Sequence, residues 1–184
     1  MGFKAELNLD TRDNAFIPSK GVKSDLSFSK YYGMNDDSKS FTRMSGSFGI
    51  YVPLYPPKKI VIASQVGVEH LIGEATFYNT ASIGQQQVRG YRRNRFVGNT
   101  SFYNATDIRI HLINVKTYFL PMGIGIVGFH DVGRVWYDGE NSDDWHRSQG
   151  FGVWLAPLNR ILATFHLAFS EEETLPLVTV GYQF

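Results

Sequence analysis

An all-β fold is predicted, an antiparallel transmembrane β-barrel, and three observations predict it. Apolar and polar residues alternate with period two through most of the 184 residues. Aromatic residues make up 15% of the chain and glycine occurs 18 times, while no stretch of helical length keeps a 3.6-residue period; that balance suits strands and turns. The strand-like segments are also long, nearer the ~9–11 residues that cross a bilayer than the usual ~5–6.

The first segment, 3–12, turns Phe3, Ala5, Leu7 and Leu9 one way and Lys4, Glu6, Asn8 and Asp10 the other. After the turn Pro18-Ser19-Lys20-Gly21, segment 21–32 sets Val22, Leu26 and Phe28 against Lys23, Asp25, Ser27 and Ser29. Segment 41–54 opposes Met44, Phe48, Ile50 and Val52 to Arg43, Ser45 and Ser47. Past Pro53 to Pro57, segment 59–71 opposes Ile60, Ile62, Val66 and Val68 to Ala63, Gln65, Gly67 and Glu69. Segment 102–115 puts Ile108, Ile110 and Leu112 against Asp107, Arg109 and His111. Segments 123–136 and 149–156 follow, then 160–169, where Phe165, Leu167 and Phe169 face away from Thr164 and His166. The last, 177–184, opposes Val178, Val180, Tyr182 and Phe184 to Thr179, Gly181 and Gln183. These are about 8–9 strands in one domain, 1–184, broken by a long Gly-, Gln- and Arg-rich connection at roughly 73–100.

Alternation does not say which face is the core. A soluble β-sandwich hides its apolar face and wets the other; a membrane barrel turns its apolar face to lipid and encloses the polar one. Strand length favours the barrel, as does a polar face carrying both charge signs, Glu69 and Arg109 for example, among small Gly and Ser.

Arg89, Arg92, Arg93 and Arg95 crowd into one part of the connection, although the chain holds 18 Lys+Arg against 17 Asp+Glu. Without a basic surplus a nucleic-acid surface is not expected. An exposed basic loop is one reading. The other is a loop folded inside the barrel, its guanidiniums paired with the inward carboxylates Glu69, Asp107 and Asp131, because an unpaired buried charge is costly. GIGIVG, 123–128, matches a dinucleotide-binding pattern but runs on into a strand, so close strand approach is the better reading. The five histidines lack ligand spacing and there is no cysteine, so no metal or other cofactor is expected. The acidic run 138–144 reads as a solvated hairpin tip. No nucleophile elbow or acid–base carboxylate pair marks an enzyme.

VRGYRRNRFVG resembles the VRGF/Y signature of the BamA/TamA superfamily of outer-membrane barrels, the bacterial surface-antigen family. LNLDTRDNAFIPSKG, TDIRIHL, FHDVGRVW, GFGVWLAPL and the aromatic C-terminal LVTVGYQF resemble further family motifs, in the family's order. The resemblance implies a lumen-docked loop, with Val88, Arg89, Gly90 and Tyr91 as its tip. Arg89 would dock on Asp131 and the ring of Phe129. Asp107 would replace the usual, longer glutamate, and Gly133 belongs to the same strand motif. Val180, Gly181, Tyr182 and Phe184 would form the C-terminal assembly signal, with Gly181 letting the last strand kink. Family barrels have about sixteen strands behind soluble domains, so this chain resembles a C-terminal portion. It is expected to be an excised part, a short closed barrel, or half of a homodimer paired through barrel edges. The implied function is insertion or translocation of proteins at the bacterial outer membrane, with lipid and unfolded clients as partners. An anchor or exporter for a fused patatin-like or metallophosphatase hydrolase is the alternative, and a soluble β-sandwich binding module the alternative from another class.

Overall fold

The computed structural model describes residues 1–33, 40–54, 59–73, 80–116, 118, 120–137, 144–158 and 160–181. Its strands are β1 (Gly2–Asp10), β2 (Gly21–Tyr31), β3 (Phe41–Leu54), β4 (Ile60–Gly73), β5 (Ala81–Ile83), β6 (Phe96–Gly98), β7 (Thr100–Val115), β8 (Met122–Trp136), β9 (His146–Pro157), β10 (Ala163–Ser170) and β11 (Thr174–Val180). Nine of them form one sheet in the order β1-β2-β3-β4-β7-β8-β9-β10-β11, and β5 with β6 makes a separate ribbon. Neighbours in the large sheet pair antiparallel.

This is a single curved wall, not two stacked sheets, and its burial is inverted. On β7, Ile108 is 47% exposed and Leu112 53%, while Asp107 is 4% exposed and Arg109 6%. On β10, Phe165 and Phe169 are exposed, and Thr164 and His166 buried. Leu7, Leu26, Phe48, Val66, Ile126, Val153 and Val178 are exposed too. Period-two alternation therefore gives a greasy outer face and a polar inner one, the arrangement of a wall standing in hydrocarbon.

Aromatic side chains need room on the inner face, and glycines on adjoining strands supply it. A Cβ at Gly67 would sit 2.3 Å from the Tyr103 ring, one at Gly150 2.6 Å from Phe129, and one at Gly125 2.3 Å from Trp154. Within the dinucleotide-like run, Gly125 thus marks a close approach. Gly128 does not: a Cβ there would meet nothing within 4 Å, because it points outward.

Two of the differences from the sequence expectation have a structural reason. The final strand begins at Thr174, ahead of Pro176; β11 pairs only with β10 among the described strands, so a residue without an N–H is tolerated on it. The long connection also contains the β5–β6 ribbon, whose three-residue strands are too short to show a period.

Antiparallel order places the β1–β2 turn and the strand ends Leu54, Ile60, Val115, Met122, Pro157 and Ala163 at one end of the wall. The strand ends Tyr31, Phe41, Gly73, Thr100, Trp136 and His146 and the β10–β11 turn lie at the other.

Candidate functional site

Residues 80–99, between β4 and β7, fold into a compact tongue on the inner wall. Val88 N and Gln87 N both donate to Gly84 O, at 2.8 and 2.9 Å, which closes a tight turn before the VRGY tip. Ile83, Val88 and Tyr91 are buried together, with Phe96, Tyr103 and Val135 packed on them. Burial pushes the Tyr91 phenol up from its ordinary pKa; it stays protonated and donates to Arg147 O at 3.1 Å.

Arg89 is 1% exposed, and its partners are carboxylates of two adjacent strands. Its Nε donates to Asp131 Oδ2 at 2.7 Å and its Nη2 to Asp131 Oδ1 at 2.6 Å. The backbone N of Arg89 also donates to Asp131 Oδ2, at 2.9 Å. Nη2 reaches Asp107 Oδ1 at 2.6 Å as well. The Asp131 pairing is the forked geometry of a guanidinium on one carboxylate. Arg89 Cζ lies 3.8 Å from the Phe129 ring centroid, close enough for a cation–π contact. The shorter Asp107 side chain therefore reaches the guanidinium directly.

Backbone shape completes the dock. Gly90 has φ +94°, and a Cβ there would come 3.2 Å from Ser148 Cβ and 3.3 Å from Ser170 Cβ. Glycine both adopts the conformation and permits the approach. Ser170 Oγ donates to Gly90 O at 2.7 Å. Gly133 leaves the space that Val88 and Ile83 occupy, since a Cβ there would lie 2.8 Å from Val88 Cγ2.

A family model for the Omp85 superfamily domain matches residues 1–173. The chain belongs to the Omp85 superfamily. Among solved structures, the crystal structure of BamA from Haemophilus ducreyi lacking POTRA domains 1–3 is similar, with a TM-score of 0.76 at 15% sequence identity. The likeness covers 98% of this chain and 42% of that one, so this chain spans under half the length of that relative. No curated protein sequence matches the chain.

The arginine cluster of this Omp85 chain divides its work, which corrects the expectation that the whole cluster pairs with inward strand carboxylates. Arg89 alone has its carboxylate partners on β7 and β8. Arg92 Nε pairs with Glu173 Oε1 at 3.0 Å and Arg95 Nε with Glu172 Oε2 at 2.9 Å, both at the β10–β11 turn. Past Gly90 the tongue has left the wall, so those two arginines are exposed. Glu69 does not meet the loop either. It pairs with Arg43 at 3.0 Å, on the neighbouring strand β3.

Val180 is exposed at the end of β11. Gly181 has φ +98°, and its N donates to Leu162 O at 2.7 Å. Tyr182 and Phe184 lie outside the described residues.

Two supports were not foreseen. His166 sets its ring edge toward Phe129 at 5.3 Å between centroids, and Ser170 holds Gly90. Their signal was the run of small and polar residues at inward β10 positions, Thr164, His166, Ala168 and Ser170. The β1–β2 turn is the second. Asp13 Oδ1 accepts from Ser19 N at 2.8 Å, and Asn14 Oδ1 accepts from Phe16 N at 2.8 Å and Ile17 N at 3.0 Å. These bonds fold the turn so that Ile17 packs on Val127, Trp154, Ala156 and Leu162, and Arg109 Nη2 donates to Pro18 O. Residues 10–21 thus cover the inner wall at the end opposite the tongue.

Proposed function

We propose that this Omp85 domain assists the insertion or translocation of other proteins at the bacterial outer membrane. The observation that carries the reading is the Arg89 clamp on Asp131 and Asp107 beneath a wall whose apolar side faces outward. A buried guanidinium held by two carboxylates and one ring keeps a loop in a single place against the inner face of the wall. Arg89, Asp107, Phe129 and Asp131 hold the loop; Val88, Gly90, Tyr91 and Gly133 provide its fit. Val180, Gly181, Tyr182 and Phe184 serve as the terminal signal through which the barrel itself is assembled.

The physical route is a weak seam. β11 has 7 residues against 16 in β7, below the ~9–11 that cross a bilayer. A short strand followed by a glycine with positive φ holds a neighbour less firmly, and it thins the lipid beside it. An incoming strand pairs there. Short connections characterise the periplasmic side of such barrels, which puts the β1–β2 turn on that side and the tongue at the outer end.

The test is reconstitution into liposomes with an unfolded outer-membrane client. Insertion is expected to speed up with the wild-type domain, and Arg89→Ala to lower that gain several-fold while the tongue becomes protease-sensitive. An Arg89→Ala protein with unchanged insertion rate and unchanged loop protection would count against the reading.

A further inference from the structure

Between the β1–β2 turn and the inner wall lies a cavity of about 310 Å³, lined in part by Ile17, Lys59, Val61, Arg109, His111 and Trp154. Its size falls in the range of small-molecule sites, ~300–1,000 Å³. We propose that it binds a small anion with an apolar body, such as an aryl phosphate or aryl carboxylate, arriving from the aqueous lumen.

Two kinds of wall meet there. One is apolar: the Trp154 ring, with Val61 and Ile17 beside it. The other is polar and carries the cations of Lys59 and Arg109. Lys59 sits just before β4, its backbone fixed by His111 N donating to Lys59 O at 2.7 Å. Its ammonium makes no hydrogen bond or ion pair with the described residues. Arg109 projects from the same inward face of β7, anchored at Pro18 O. His111 follows two residues on, with Nε2 2.9 Å from Asn114 Oδ1 and its ring 5.6 Å from Trp154.

Asp13 is the one carboxylate among the cavity's described lining residues. It accepts from Ser19 N, Ser19 Oγ and Lys20 N, bonds that hold the turn in shape. Those bonds draw on the Asp13 carboxylate, and among the described residues the cation of Lys59 has no counter-ion. A phosphate or carboxylate supplies that charge, and an aromatic body replaces water against Trp154. The site lies beside the Arg89 clamp, toward the β1–β2 turn, with Arg109 two residues along β7 from Asp107; none of its described lining residues belongs to the tongue.

Isothermal titration of the detergent-solubilised domain tests it with phenyl phosphate, inorganic phosphate and benzyl alcohol as probes. Phenyl phosphate is expected to bind, and the other two at least tenfold more weakly, because each carries only half of the match. Lys59→Gln should weaken phenyl phosphate about tenfold through the lost charged hydrogen bond. Lys59 is exposed outside any strand, so this variant keeps the fold. Val61→Phe, which fills the cavity, should abolish binding, with the heat-shifted gel band reporting that the barrel is intact. The proposal is overturned if phenyl phosphate does not bind, if Lys59→Gln binds it equally well, or if inorganic phosphate matches it.

Discussion

Arg89 and Asp131 are both out of contact with solvent, so neither tolerates loss of the other. Removing one partner of a buried pair leaves an uncompensated charge at a cost of about 3–5 kcal/mol. Asp131→Ala is therefore expected to lower the stability of the domain by that order in urea titration. Asp107→Ala should cost less, because Asp131 still holds the fork through Nε and Nη2. Equal effects of the two would show that the register of contacts is wrong. Gly90→Ala tests the backbone half of the dock. It places a side chain at positive φ, a strain of about 1–2 kcal/mol, against Ser148 and Ser170. Faster proteolytic cleavage near residue 90 is the expected readout.

For β8, the two faces give opposite predictions for residues that look alike in the sequence. Gly125 faces inward, where a Cβ would come 2.2 Å from Ile110 O; Gly125→Ala should cost about 1–3 kcal/mol through overpacking. Gly128 faces outward into open space, so Gly128→Ala should be neutral or gain up to about 1 kcal/mol from the stiffer chain. Similar melting temperatures for the two variants would contradict the assigned register. The tongue invites a second contrast. Its pairs Arg92–Glu173 and Arg95–Glu172 are exposed, and such pairs contribute little. Reversing both glutamates to lysine should leave the melting temperature unchanged while loosening the tongue's outer half, read by protease sensitivity.

Taken whole, the molecule depends on an apolar exterior. Ile108→Arg places a charge on that exterior, costing about 2–4 kcal/mol if the residue sits near the bilayer midplane. Extraction should require detergent, and folded protein should migrate differently on gels before and after heating. Among the described strands, β1 and β11 each pair on one side only. Open strand edges are not tolerated against lipid, so both must find partners. If a second copy supplies them, native mass measurement in detergent will give two chains.

The chain's own letters settled its class. Alternation over long segments is a local property, visible because side chains on a strand take opposite faces in turn; so are the turns that separate the segments. The VRGY run and its companion motifs could be read as well, because each is contiguous. Other features had to wait for three dimensions. Which face is wet depends on what surrounds the sheet, and alternation is symmetric between the two answers until the wall is seen to curve with Asp107 and Arg109 on its inside. That Arg89 meets Asp131 while Arg92 and Arg95 turn to the β10–β11 hairpin follows from where the chain reverses at Gly84 and Gly90. Glu69 pairs with Arg43 because strand register, set by hydrogen bonds across the whole sheet, puts them diagonally across β3 and β4 on one face. Contacts between residues tens of positions apart are fixed by packing, and no single segment carries that information.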